Sequence, residues 1–399
     1  MATAFTRRKA VLYGLGGIAV VAAGGGVWRA WSNGVFHAGE GPAYEPWRNW
    51  RDGNAGGPLA LVRAGILASN AHNSQPWRFQ VSDDRVALFA DPVRNLGSFD
   101  PFRREMFLSL GCALENMVLA ARAEGYEPRV ELTAGRLSPG APVAAGEPAA
   151  VLHLSPGPRA ESEFHRAIAV RHTHRGAYEA GRPVPETLNR EMQSLAGEFP
   201  DIRLSLFGAG TAKDRLGELI VSATADIVAD HQMVMDSARW FRFDWNSLER
   251  HRDGITLDAV GLPPLVSALA KIIPAPSPEQ ADRQWLTATR DVHVGTAALL
   301  GAISVRDLYD RPAALNAGRL WQKLHLCVAA RGLAAQPLNQ PAERVDRELE
   351  LGREARMAAA LAGAIGAAGW QPTFLFRMGY AASAARPSPR RPVDAVTAA

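Results

Sequence analysis

Ala68-Ser69-Asn70-Ala71-His72-Asn73-Ser74-Gln75-Pro76-Trp77-Arg78-Phe79 is the stretch on which the reading of this chain turns. Before it, residues 59–68 repeat apolar side chains at helical spacing. After it, residues 78–81 and 86–89 alternate as two strands, with Ser82-Asp83-Asp84-Arg85 as the turn. The stretch is therefore a polar loop between a helix end and a strand. Small polar residues ahead of Pro76-Trp77 can turn backbone and amide groups toward a ligand. On composition alone the simpler reading is a plain helix-to-strand turn with Trp77 in the core.

Residues 104–124 read as one long apolar helix that stops at Gly125, a residue suited to a left-handed C-cap. Residues 130–132 and 151–154 read as strands around a Pro/Gly loop at 135–148. A second segment opens with a helix over about 161–171, then a strand at 202–207 and a mostly helical 214–245. Residues 246–282 look long and irregular, with Gly261-Leu262-Pro263-Pro264 and Pro274-Ala275-Pro276-Ser277-Pro278. Such loops are often lids or binding elements. Residues 294–305 are partly strand-like, 319–331 helical and 373–378 a late strand. Two helices overlay: Gly111 to Gly125 and Gly318 to Gly332 lie 207 residues apart, with Leu114/Trp321, Met117/Leu324 and Leu119/Leu326 matched. One matched pair is a weak sign of a repeat.

The 399 residues leave room for two packed units and a leader. The 47% hydrophobic and 21% charged fractions exclude a disordered or multi-span chain. Net charge is +4, and the cations are almost all arginine; the lysines are Lys9, Lys213, Lys271 and Lys323. No basic stripe with interleaved aromatics is present, which argues against nucleic acid as a partner. Cys112 and Cys327 make neither a disulfide framework nor a zinc ribbon, and read as small core residues.

Thr6-Arg7-Arg8-Lys9 stands before an apolar, Gly-rich run that continues to about Trp28. Paired arginines ahead of such a run resemble a twin-arginine signal. That predicts export through the Tat translocon, to the periplasm or to an outward-facing, membrane-anchored position. The alternative is an uncleaved anchor. The run barely reaches the roughly 20 apolar residues a bilayer requires, and no clean small-x-small cleavage site follows it. Residues 1–33 are read as signal or anchor, and 34–57 as an irregular linker.

Arg171-His172-Thr173-His174-Arg175 stands at a helix end before Gly176. Guanidinium forks flanking a hydroxyl suit a terminal phosphate; a solvated basic turn is the plain alternative. His172 and His174 lack a third ligand nearby, so no metal is expected. Arg386-Pro387-Ser388-Pro389-Arg390-Arg391-Pro392 is a basic tail, by default disordered.

Together these residues resemble the nitroreductase superfamily of FMN flavoproteins. The family's Ser/Asn-rich loop ending in Gln-Pro-Trp is nearly completely matched by Ser69 to Trp77. Its Arg-x-Ser-x-Arg/Lys phosphate motif is matched with Thr173 in place of Ser, and its basic tail by Arg390-Arg391-Pro392. Leu333-Ala334-Ala335-Gln336-Pro337-Leu338-Asn339-Gln340 matches the segment beside the flavin N5, which usually ends in Glu-Gly. The resemblance runs from about Pro58 to the end. The motif order is unusual, because the phosphate motif follows the loop, and no second Gln-Pro-Trp appears. The resemblance therefore implies an α+β, nitroreductase-like fold with two related α/β halves in one chain, mimicking a homodimer. Residues 58–157 would supply the loop and 158–399 the phosphate clamp, giving one FMN site in a monomer with an internal pseudo-dimer. This is similar to Acg-type mycobacterial flavoproteins, and residues 246–282 would be the lid.

The resemblance also implies two-electron transfer through FMN from a small-molecule donor to a flat quinone or nitroaromatic acceptor. Arg171, Thr173, Arg175 and Arg390 are expected on the phosphate and His172 near the flavin or ribityl chain. Ser69, Asn70 and Asn73, in the loop that also holds Gln75, are expected on the ring and ribityl group. The backbone of Asn339 and Gln340 is expected at N5. No general acid is required, so no catalytic residue is named. The alternative is a lid-closed FMN store with little turnover, favoured by the absence of Glu-Gly and by export away from cytoplasmic NAD(P)H.

Overall fold

The alternation at 78–89 does fold as a hairpin, and the long apolar helix does end at Gly125. A computed structural model describes residues 27–51, 56–140, 146–273 and 276–398. After a helical turn at 27–32 come α1 (Glu45–Asn49), α2 (Pro58–Gly65), β1 (Trp77–Ser82), β2 (Arg85–Ala90), α3 (Arg104–Glu124), β3 (Tyr126–Leu132) and β4 (Ala150–Pro156). Next are α4 (Glu163–Ala167), α5 (Glu186–Ala196), β5 (Ile202–Phe207), α6 (Thr211–Ala229), α7 (His231–Ala238), β6 (Phe241–Arg242), α8 (Trp245–His251), β7 (Ile255–Thr256), α9 (Pro264–Ile272) and α10 (Pro278–Ala288). The chain closes with β8 (Leu299–Val305), α11 (Arg311–Ala330), β9 (Ala334–Pro337), α12 (Gln340–Glu350), α13 (Arg356–Ile365), β10 (Gln371–Gly379) and β11 (Thr397–Ala398).

The strands form two main sheets, which with the packed helices make the expected α+β class. The first has the order β11-β1-β2-β4-β3 and the second β5-β8-β10-β9. The hairpin register, Trp77 opposite Ala90, puts Trp77, Phe79 and Leu88 into the core. Every residue of β8 is buried, as a central strand covered on both faces requires. One strand crosses over. β11, at the chain end, pairs parallel with β1 through Phe79 and Thr397. The tail expected to be disordered is thus tied to the first sheet.

Helices α3 and α11 make the most extensive contact between any two elements. Glycine permits it. A Cβ at Gly111 would run into the Leu315 carbonyl oxygen, and one at Gly318 into the Leu108 carbonyl oxygen. Both pairings obey the 207-residue offset. The contact is therefore reciprocal, as across a two-fold axis. Gln322 donates to Asn116 at 2.8 Å, and Arg319 pairs with Glu115 at 2.9 Å. Cys112 and Cys327 are buried and free, as expected.

Some expectations fail. The segment 246–282 is not irregular: it holds α8, α9 and the start of α10. Pro264 and Pro278 open helices rather than break them, because proline at N1 loses no intrahelical bond. Ser277 and Gln280 complete a capping box on α10. The helix expected over 161–171 shrinks to α4, because the chain straightens so that Thr173 bridges Ala335. The arm at 34–51 is docked: Tyr44, Trp47 and Trp50 are buried. The paired arginines of the N-terminus lie outside the described residues.

Candidate functional site

A cavity of about 1930 Å³ opens where the two halves meet under the segment α7–α10. Six of the eleven expected residues line it: Ser69 and Asn70 from the first half, Thr173, Arg175, Asn339 and Gln340 from the second. Trp321 and Phe374 add apolar surface, with ring centroids 4.7 Å apart. Phe241, Val266, Leu269 and Trp285 reach it from the segment α7–α10.

The decisive loop is strained. His72, Asn73 and Gln75 have φ of 50°, 52° and 51°, left-handed values that favour glycine. Its side chains hold that shape. Asn70 Oδ1 accepts from the Gln75 backbone N–H at 2.8 Å. The Gln75 amide donates to the Arg252 carbonyl and accepts from the Arg391 N–H, both at 2.8 Å. Asn73 donates to the Gly254 and Pro389 carbonyls at 3.1 and 2.9 Å. Asn73 and Gln75 therefore lie outside the cavity lining: their amides tie the loop to the segment 246–282 and the tail. Ser69 Oγ accepts from Trp321 Nε1 at 3.1 Å.

Arg171, His172 and Arg390 also lie outside the cavity lining, in a cationic cluster next to it. Arg171 donates to the Leu67 carbonyl at 2.9 Å, and Arg390 to the Ala68 carbonyl at 3.1 Å and Asn73 Oδ1 at 2.5 Å. Both guanidinium groups are buried, and among the described residues both Nε atoms lack a partner. Among the described residues no carboxylate bears on either one. Both approach the Trp47 ring, at 5.7 and 4.7 Å from its centroid. Trp47 is fixed by its Nε1 donating to the Ser388 carbonyl at 2.7 Å. Burial brings Arg171 down to about 10. Arg390 falls well below its ordinary value, through burial and then Arg171. The same burial, then both arginines, lowers His172 to about 3, so its imidazole is neutral at pH 7. Arginine keeps its proton, so this cluster is an unbalanced pair of positive charges.

The five-residue motif is split. Arg175 donates to the Ala259 carbonyl at 2.9 Å and faces Arg377, not Arg171. Three residues separate the two arginines, and four steps of extended chain span roughly 13 Å along the backbone. The partner of Arg171 is Arg390, brought in by the tail. Motif reading missed Trp47, which lies in the 34–57 stretch read as a linker and whose only sequence signal is its neighbour Trp50. It also missed Glu105 and Glu343, both on the cavity.

No family model matches the chain. Over 349 residues it is 28% identical to Rv3131 of Mycobacterium tuberculosis strain H37Rv, whose name proposes an NAD(P)H nitroreductase; the match takes in 84% of this chain and 89% of that one. The chain resembles this nitroreductase-named protein along most of its length. A 72-residue stretch, 18% of the chain and 22% of the relative, is 39% identical to Acg of the same organism, whose name makes the same proposal. Among solved structures, the FMN-dependent nitroreductase NfnB of Mycobacterium smegmatis, in complex with NADPH, aligns with 59% of this chain and 97% of its own, at 19% identity and a TM-score of 0.38.

Proposed function

We propose that this chain binds one FMN between its halves and acts as an oxidoreductase, passing two electrons from a small-molecule donor to a flat quinone or nitroaromatic acceptor. The observation that carries this reading is the Arg171–Arg390 pair. Two buried cations with orphaned Nε atoms and no carboxylate fit a phosphate dianion, and they adjoin the cavity at Leu67 to Ser69. Arg171 and Arg390 would hold the phosphate. Ser69, Asn70 and Thr173 would take the ribityl and ring side, and Asn339 and Gln340 the ring edge. Bound there, FMN supplies two-electron transfer. The similarity to Rv3131 supports the same reading.

The cavity volume bears on turnover. About 1930 Å³ exceeds the roughly 300–1,000 Å³ of a single-ligand pocket, leaving room for an acceptor beside the cofactor. The storage reading rests on the apolar side chains of α9 and α10 over the cavity. Reconstitution with FMN and a visible spectrum test the core claim; a colourless protein sinks it. Arg171→Ala should release the flavin, while flavin content equal to wild type would refute the phosphate assignment. Anaerobic NADH and NADPH, followed by a quinone, separate enzyme from store: flavin that no donor reduces and no quinone reoxidises is stored.

The proposal extends to duplication and export. The reciprocal glycine contact supports descent of the halves from a common ancestor. Arg7-Arg8 before the Gly-rich run supports the twin-arginine route. Replacing both with lysine should retain the chain in the cytoplasm, and unchanged export would end that reading.

A further inference from the structure

Glu105 is the second residue of α3 and Glu343 the fourth of α12. Their carboxyl groups are hydrogen-bond neighbours, both line the cavity, and they are 5% and 6% exposed. Each charged group around them has a task. Asp100 accepts the Glu105 and Met106 backbone N–H groups at 3.0 and 2.9 Å. Arg104, the cation beside the pair, is held by Asp346 at 2.8 Å, and Asp346 also accepts from Tyr309 at 3.0 Å. Arg344 turns toward Asp230 at 3.6 Å. Glu105 receives one bond, from the Asn339 amide. Among the described residues Glu343 Oε2 has no hydrogen-bond partner, and neither has Gln340 Oε1, a separate buried acceptor on a residue of the same cavity. Two unmatched buried oxygens, on residues that line one cavity, mark its wall as a place for a ligand.

Two carboxylates in contact, away from water, cannot both ionise. The N-termini of α3 and α12 favour one negative charge there, and nothing balances a second. We propose that Glu105 and Glu343 hold one proton between them and deliver it to the oxygen of an acceptor reduced in this cavity, which selects quinone- or nitro-type molecules that take up a proton with their electrons. This rests on the oxidoreductase reading above. For a quinone, the carboxyl O–H bond breaks and an O–H bond forms on the acceptor. The two electrons and the other proton would be supplied as hydride by reduced FMN held in the cavity, so that the quinone gains two electrons and two protons in all. As the pair gives up its proton it takes another from water entering the open cavity, so it is not left doubly ionised. The electrostatics agree: burial, then Asp100, raises Glu105 to about 7, and burial, then Glu105, raises Glu343 well above the carboxylate range.

The test uses the full chain and Glu343→Gln, which keeps the shape and removes the shared proton. Infrared difference spectra with labelled glutamate need no flavin. Wild type should show a protonated carboxyl at pH 7. In Glu343→Gln the carboxyl that stays protonated to the higher pH should disappear, leaving Glu105 as the titrating glutamate. The second readout compares acceptors by single turnover. Benzoquinone reduction should slow on the order of 10²-fold, the scale of general acid catalysis, while ferricyanide, which takes electrons without a proton, should react at the wild-type rate. Equal loss with both acceptors, or no protonated carboxyl in wild type, overturns the proposal. A protein that binds no FMN fails at the visible spectrum, which sinks the underlying reading instead.

Discussion

The cluster at Arg171 and Arg390 and the pair at Glu105 and Glu343 pose one electrostatic problem with opposite signs. Each buries like charges without an equal counter-charge. Arginine cannot lose its proton near neutral pH, so the cationic cluster must be answered from outside, by an anion. A carboxyl group can gain a proton, so the acidic pair answers itself. The difference teaches what each region is suited to: one holds a ligand, the other holds a proton.

The largest effect should come from breaking the scaffold between them. Gly318→Ala drives a methyl group into the Leu108 backbone, which cannot swing aside. A loss of about 3 kcal/mol is expected in chemical denaturation; an unchanged midpoint would refute the close helix approach. Next comes Arg390→Met. FMN affinity should fall roughly 10- to 150-fold, matching about 1.5–3 kcal/mol for a charged hydrogen bond. The apoprotein should become no less stable, because a buried unpaired cation is gone. Destabilised apoprotein with unchanged affinity would make Arg390 purely structural.

The smallest effect sharpens the acidic side. Folded Glu105 sits at about 7, above its ordinary 4.5, so the native state binds more protons between those values. That contribution to stability is full below about 4.5 and is lost as pH rises through about 7, at about 1.4 kcal/mol per pH unit and proton. Glu343 is raised further still, so Glu343→Gln should flatten the fall that continues above that pH. Parallel stability–pH curves for the two proteins would refute the shared proton.

Local pattern made part of the site legible. The hairpin, the helix ending at Gly125 and the polar loop before Trp77 are each dictated by neighbours in sequence. Prolines misled at 264 and 278, where they start helices, because helix position and not residue type decides what proline does. Arg171 and Arg175 looked like one clamp because they are close in sequence, yet an extended backbone sends them to different partners.

The loop from Ser69 to Trp77, the arginine motif and the glycines 207 residues apart were determined by the sequence alone, since each is a matter of residue type and spacing. Only the tertiary structure decided that Asn73 and Gln75 clamp the loop, that Arg390 joins Arg171 over Trp47, and that Glu105 meets Glu343. Those pairings join segments far apart in the chain, and no local periodicity encodes which buried charge will face which.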